Sequence, residues 1–345
     1  MEAVPYCMLC GSEGSLLYEG LEDRLYGVPG KFSLYSCPDC GLVWLNPRPV
    51  EEDLAKCYMN AYYTHTPPAS LERSAVLRGW REFLRRLIWE AYYAYPPAGR
   101  FPLLRKAVGK VLGALPPLRR RAAYDLGVLF LPFHGQRRLL DVGCGNGAYL
   151  KLMQELGWQV TGIDIDPAAV AVCRAQGLNA SVGTLETMNF PDHAFDAITL
   201  SHVFEHLPDP AKFLQECYRI LSPGGYIAMK MPNIKSLGHR LFKRFWRGLE
   251  PPRHLSLWDR HTLHIILHRN NLKIYTCHTS SHIADFIYEY SVFSNEKYKK
   301  SFIFYLRKKI FKIHENFLLL FDKDAGEEVF MVARKSGMNL FAKQG

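Results

Sequence analysis

Three groups of residues in this chain have the types and spacing to do chemistry. The first is a set of thiols, Cys7-Met8-Leu9-Cys10-Gly11 and Cys37-Pro38-Asp39-Cys40-Gly41, two Cys-x-x-Cys turns separated by 26 residues. Two such turns, each followed by the glycine that a tight turn favours, can aim four thiolates at one tetrahedral Zn²⁺, whereas a single pair would read equally well as a redox motif. Such a site has no open position, so its work is structural. The second group is Leu139-Leu140-Asp141-Val142-Gly143-Cys144-Gly145-Asn146-Gly147, a buried strand running into glycines spaced two apart and then a helix. Glycine lets the backbone turn tightly and approach a ligand closely, so a nucleotide-like ligand is expected there. The third group is polar residues at the ends of apolar runs: Asp164 after Trp158–Ile163, Ser201 and His202 after Phe195–Leu200, and His254 within Pro251-Pro252-Arg253-His254-Leu255.

These residues need an alternating α/β frame to position them. Strands are expected at 139–142, 158–164, 179–182, 195–200, 226–231, 272–279 and 327–335. Helices are expected after Ala148, from the Asp209 cap to Leu221, and over 259–269. Strands alternating with helices require a mostly parallel sheet, and ligands of such sheets sit beyond the strands' carboxyl ends. Ser222-Pro223-Gly224-Gly225 reads as the turn before the fifth strand.

The spacing Gly143, Gly145, Gly147 departs from the Gly-x-Gly-x-x-Gly of dinucleotide-binding turns. With Asp141 before it, the stretch resembles the first motif of class I S-adenosylmethionine-dependent methyltransferases, and Glu205-His206-Leu207-Pro208-Asp209-Pro210 resembles a later segment of that family. The resemblance implies a Rossmann-like methyltransferase fold with a seven-stranded sheet, and S-adenosylmethionine as cofactor. It implies cofactor contacts from Asp141, Gly143, Cys144, Gly145 and Gly147. Asp164 would serve the ribose and Thr184 and Leu185 the adenine, Ile165 and Ser201 would be further cofactor contacts, and His202 would contact the methionine portion, shape the acceptor pocket or take the acceptor's proton. Many relatives carry an acid where Thr184 stands, so backbone groups near Thr184 and Leu185 are expected to hold the adenine. His254 resembles a recurring histidine in a Pro-Arg-His-Leu segment, and it and His202 are the candidate catalytic residues. The segment 232–258 is expected to overhang the acceptor. The segments 23–30 and 40–49 resemble zinc-binding modules fused to bacterial methyltransferases of glycan and natural-product pathways.

The expected organisation is a zinc ribbon over 1–60, a basic amphipathic helical linker over 61–121, and a methyltransferase domain over 122–345 beginning near Tyr124, with a helical insertion at 282–325. The formal net charge is +10, distributed as −5 for residues 1–69, +9 for 70–121, and +3 for each of 122–281 and 282–345. Pro67-Pro68, Pro96-Pro97 and Pro116-Pro117 bracket two helical pieces, one with Val76, Trp80, Phe83, Leu84, Leu87, Ile88 and Ala91 at helical spacing, the other carrying Arg105, Lys106 and Lys110. In the insertion Phe302, Ile303, Leu306, Ile310, Ile313, Phe317 and Leu320 also recur at helical spacing. Such stripes either pack inward or lie on an anionic membrane. The N-terminus carries Glu2 and no signal-like apolar run, so a cytoplasmic protein is expected, peripheral at the inner membrane surface on the second reading. The favoured function is methyl transfer to a small molecule, namely a sugar, a glycan intermediate or a lipid-linked precursor. An RNA methyltransferase using the basic patch and a non-enzymatic cofactor-binding scaffold are the alternatives.

Overall fold

The computed structural model describes residues 1–57, 75–97, 99–115, 118–119, 122, 131–133, 135–292 and 301–336. The breaks expected at Pro67-Pro68 and Pro116-Pro117, the start near Tyr124, and the side chains of Val76 and Arg78 lie outside the described residues. By its contacts the chain divides into two units. The first is Met1–Tyr62, Ser201–Leu214 and Met229–Met331, and the second is Tyr63–Leu200, Gln215–Ala228 and Val332–Gly345.

The strands are β1 (Ser15–Leu21), β2 (Phe32–Ser36), β3 (Val43–Leu45), β4 (Arg138–Val142), β5 (Gln159–Asp164), β6 (Ala180–Val182), β7 (Phe195–Ser201), β8 (Leu221–Pro232), β9 (Ser256–Leu257), β10 (Leu272–Ser280) and β11 (Glu328–Lys335). Seven of them form one sheet in the order β10-β11-β8-β7-β4-β5-β6. β4 pairs in parallel with β5 and with β7, and β5 with β6. Near-continuous apolar runs such as Phe195–Leu200, buried throughout, are what strands covered on both faces require. The mostly parallel seven-stranded α/β sheet expected from the sequence is therefore present. One detail differs: the expected turn at 222–225 falls inside β8. Gly224 sits at φ +78°, and a Cβ on Gly225 would lie 3.1 Å from the Asp196 carbonyl. These glycines bend the strand and admit β7's backbone without ending the strand.

In the second unit, helices Ala75–Tyr92 and Pro102–Gly113 cross so closely that a Cβ on Gly109 would lie 1.9 Å from the Leu87 carbonyl. Arg105 is not free to meet an anionic partner, because its guanidinium binds the buried Glu90 carboxylate through bonds of 3.0 and 2.6 Å. In the first unit β1, β2, β3 and β9 form an antiparallel sheet. Strands β1, β2 and β3 thus share their sheet with Ser256–Leu257 of the long 232–258 connection. Within that connection residues 248–258 are all buried, whereas Lys235, Arg240, Leu241 and residues 243–245 are exposed. Leu21, Phe32, Leu34, Val43 and Leu45 pack there with Trp246, Leu249, Leu255 and Leu257.

A fully buried ion pair fixes the same contact. Arg253 donates to both Asp23 oxygens, at 2.7 and 2.8 Å, and to Glu250 at 3.0 Å, and its guanidinium lies 4.5 Å from the Tyr26 ring centre. Asp23 also accepts amides from Leu25, Tyr26 and Val28. Burial works to raise its pKa, but Arg253 and these amides hold the carboxyl below the usual range. Removing one partner leaves the others buried and uncompensated. Arg253→Met is therefore expected to cost about 3–5 kcal/mol of stability in chemical denaturation, whereas exposed Lys151→Met should cost under about 0.5 kcal/mol.

Candidate functional site

The glycine turn is built from its backbone. Gly143 and Cys144 donate to the Ile163 carbonyl at 2.8 and 3.1 Å, and Gly143, Gly145 and Gly147 have φ of +71°, +52° and +79°. Gly147 caps helix Ala148–Glu155, and a Cβ there would lie 2.6 Å from Leu178 and 2.9 Å from the Cys173 sulfur. Packing within the protein alone already requires glycine at this position. Asp164 ends β5 and closes the turn: Oδ2 accepts the Gly145 amide at 2.8 Å and Oδ1 the Asp166 amide at 2.9 Å. A carboxylate has about four acceptor positions, so two remain for the vicinal hydroxyls of a ribose. Burial raises the Asp164 pKa, opposed by these amides.

Asp141 is buried beneath the turn and accepts the Thr199 hydroxyl at 2.6 Å. Burial pushes its pKa up to about 7. Cys144 is buried, with its sulfur 4.0 Å from that of Cys173, and burial raises its pKa. Ile165 is exposed at the end of β5, whereas Leu185 is buried. The Thr184 amide, expected to serve adenine, already donates to Thr187 Oγ1 at 3.0 Å in a local hydroxyl turn. That donor is therefore occupied, and Leu185 turns its side chain into the core.

In the first unit β7 ends on exposed Ser201, and His202 follows at φ +56° with its amide on the Lys230 carbonyl. Its ring spans two carboxylates, with Nε2 2.9 Å from Glu328 and Nδ1 3.3 Å from Glu205. Burial would lower its pKa, but Glu205 and Glu328 raise it to about 9. With a carboxylate facing each ring nitrogen, the ring is an imidazolium at neutral pH and a donor to both. His254 is 4% exposed and holds the Gly248 carbonyl at 2.7 Å through Nδ1. Burial, opposed by Glu250, lowers its pKa to about 4. The ring is thus neutral and enclosed. Glu205 and Glu328, passed over in the sequence as a motif acid and a strand residue, are what set the state of His202. Only their i+3 spacing from His202, in the case of Glu205, was visible beforehand.

The four cysteines converge. Sulfur separations are 3.5 Å for Cys7–Cys40, 3.2 Å for Cys10–Cys37 and 3.8 Å for Cys10–Cys40. The edge of a tetrahedral site with Zn–S bonds of about 2.3 Å is about 3.8 Å, far beyond a disulfide's ~2.05 Å. The two turns repeat one geometry: Gly11 and Gly41 lie at φ +78° and +79°, and their amides donate to the carbonyls of Cys7 and Cys37. The Cys7 and Cys37 amides donate in turn to Ser12 and Leu42. A cavity of about 660 Å³ also opens in this unit, lined in part by Arg24, Arg244, Arg247, Phe245 and Tyr290.

The sheet, mostly parallel and seven-stranded, has the Rossmann-like α/β arrangement of the methyltransferase fold. Residues 110–276 match the family model described as a methyltransferase domain. Over 103 residues the chain is 41% identical to the ubiquinone biosynthesis O-methyltransferase of Xanthomonas oryzae pv. oryzae, covering 28% of this chain and 43% of that protein. It is 39% identical over 104 residues to the protein of the same name from Alkalilimnicola ehrlichii, covering 28% and 42%. The chain thus spans less than half the length of these curated relatives. Among solved structures, a methyltransferase from Archaeoglobus fulgidus aligns with TM-score 0.43 at 24% identity, over 64% of this chain and 92% of that one.

The Asp141 proton supplies a test of the turn's electrostatics. Its pKa rises from 3.8 unfolded to about 7 folded, so between these values the folded chain binds more protons than the unfolded one. The group's contribution to stability therefore falls as pH rises through this window and levels off above about 7. Asp141→Asn keeps an oxygen for Thr199 and cannot ionise. Thermal denaturation of the cofactor-free protein from pH 5 to pH 8 is expected to show the variant gaining on the parent as pH rises.

Proposed function

We propose that this chain is an S-adenosylmethionine-dependent methyltransferase whose acceptor is a small molecule of the sugar, glycan-intermediate or lipid-linked class, with the lipid-linked precursor favoured. The observation that carries the reading is the glycine turn closed by Asp164, whose carboxylate braces Gly145 and retains acceptor positions for a ribose. The donor set fits the cofactor: positive φ at three glycines opens the turn's backbone, and the acid stands at the end of the adjoining strand. When bound, S-adenosylmethionine supplies an electrophilic methyl group on a sulfonium.

The chain's own residues then have limited and definable tasks. Asp164 orients the ribose, and the glycine turn gives the amino-acid end close backbone contact. Alignment supplies most of the rate, because in-line displacement needs the acceptor atom about 3 Å from the methyl carbon. His202, held charged by Glu205 and Glu328, donates a hydrogen bond and does not take the acceptor's proton at neutral pH.

Two observations support a lipid-linked acceptor. The stripe Phe302, Ile303, Leu306, Ile310, Ile313, Phe317 and Leu320 faces outward, each residue 47–76% exposed. Helix Phe302–Leu318 instead buries Phe304, Phe311 and Glu315, which pack and hydrogen-bond with Tyr288, Phe242 and the Glu327 amide. Apolar residues so displayed suit a membrane surface, and two of the relatives carry the name ubiquinone biosynthesis O-methyltransferase. Among the described residues no helix is long and apolar enough to cross a membrane, so contact would be peripheral, at the cytoplasmic face. The four cysteines are proposed to hold a structural Zn²⁺.

Incubation with methyl-labelled cofactor and extract from the source cells, followed by fractionation, is expected to place label in the lipid pool. Label in RNA alone would replace this reading with the RNA alternative. Flotation with anionic and neutral vesicles is expected to recover more protein with the anionic ones, and Ile310→Asp with Ile313→Asp should abolish that difference. Cys7→Ser with Cys40→Ser is expected to lower bound zinc by about one ion per chain and to unfold the N-terminal sheet by circular dichroism.

A further inference from the structure

A second group of ligand-type side chains lies inside the first unit, apart from the thiols and the glycine turn. Glu205 and His206 end the short helix Phe204–His206, and His254 lies in the segment leading into β9. The Leu255 amide donates to the Glu205 carbonyl at 2.8 Å, which clamps the two segments side by side. A carboxylate oxygen of Glu205 and one ring nitrogen from each histidine all lie within 4.8 Å of one another.

The hydrogen bonds around this group orient it as a ligand set. His254 Nδ1 faces the Gly248 carbonyl at 2.7 Å, and His206 Nδ1 faces the Arg253 carbonyl at 2.9 Å. A carbonyl only accepts, so each ring carries a proton on Nδ1, and Nε2 is the ring atom left that could meet a metal. Metal-binding histidines are held by the same outer hydrogen bond. His254 Nε2 then points its lone pair toward two carboxylates, 3.9 Å from Glu205 Oε1 and 3.6 Å from Glu250 Oε2. These distances exceed a hydrogen bond, yet two ligands each about 2.0–2.2 Å from a shared ion stand up to roughly 4 Å apart. Glu205 is 1% exposed, and its Oε2 has no hydrogen-bond partner among the described residues. An acceptor facing acceptors, beside a buried carboxylate oxygen with no donor, is an environment that a cation completes. Glu250 is less available, because Arg247 and Arg253 already bind it.

We propose that Glu205, His206 and His254 bind a divalent first-row metal ion, with Zn²⁺ the best fit, at a site distinct from the four cysteines. Two imidazoles and one carboxylate suit Zn²⁺ better than Mg²⁺ or Ca²⁺, which take oxygen ligands almost throughout. The half-buried His206 ring gives the ion its approach. The ion pins the segment of His254 to the short helix that follows His202. This assignment rests on the cluster alone and stands whether or not the chain transfers methyl groups.

The full chain, stripped with a chelator, reloaded with Zn²⁺ and dialysed, is expected to retain about two zinc ions by mass spectrometry. X-ray absorption of that sample is expected to show a mixed shell of sulfur and nitrogen or oxygen. Glu205→Gln, equal in volume, is expected to lose one ion and leave a sulfur-only shell. A single ion in a nitrogen and oxygen shell would uphold this site and remove the four-cysteine one. A sulfur-only shell in the parent protein, with a zinc content that Glu205→Gln leaves unchanged, would overturn the proposal; the parent spectrum decides even if the variant fails to fold.

Discussion

The carboxylate of Asp164 is the contact on which the cofactor turn depends. It stands where β5 runs out, accepts one amide from the glycine turn after β4 and another from the turn that starts the next helix. Charged hydrogen bonds of this kind contribute about 1.5–3 kcal/mol each, enough to hold three residues of positive φ in one conformation. Without that brace the amides of the turn would be free to reorient, and the preorganisation that aligns a bound ligand would be lost. The parallel register of β4 with β5, Val142 opposite Ile163, sets the distance that the carboxylate must span.

A comparable dependence operates in the first unit, where Arg253 joins the Asp23 loop to the segment carrying His254. The neighbours of one arginine thus decide the surroundings of a histidine that looked, from its motif, like a candidate base. Glu250 lies at both ends of this arrangement, paired with Arg253 and facing His254. Burial keeps the His254 imidazole neutral there, against the opposing charge of Glu250. His202 has the opposite fate because two carboxylates reach it without a competing arginine.

The parallel core was legible because buried strands such as β7 are continuous apolar runs and the glycines punctuate the first turn. The two Cys-x-x-Cys turns were equally plain, since thiols at that spacing have few other uses. What could not be read was long-range pairing. Nothing local in Ser256-Leu257 announces a partner at Val43-Trp44, and nothing in Asp23 announces Arg253. The protonation of His202 was hidden for the same reason, because Glu328 approaches it from 126 residues away. The stripe on helix Phe302–Leu318 was seen, but its direction was not. Glu315, a polar residue on the opposite side, proved to be buried through its bond to the Glu327 amide.

The central claim is that the turn of Gly143, Gly145 and Gly147 and the Asp164 carboxylate hold S-adenosylmethionine. Titration calorimetry of the purified chain with that cofactor tests it most directly. Saturable binding, weakened at least tenfold in Asp164→Ala, that is by about 1.4 kcal/mol, is the predicted result. No heat of binding to the folded parent protein, or equal affinity in the variant, would contradict it.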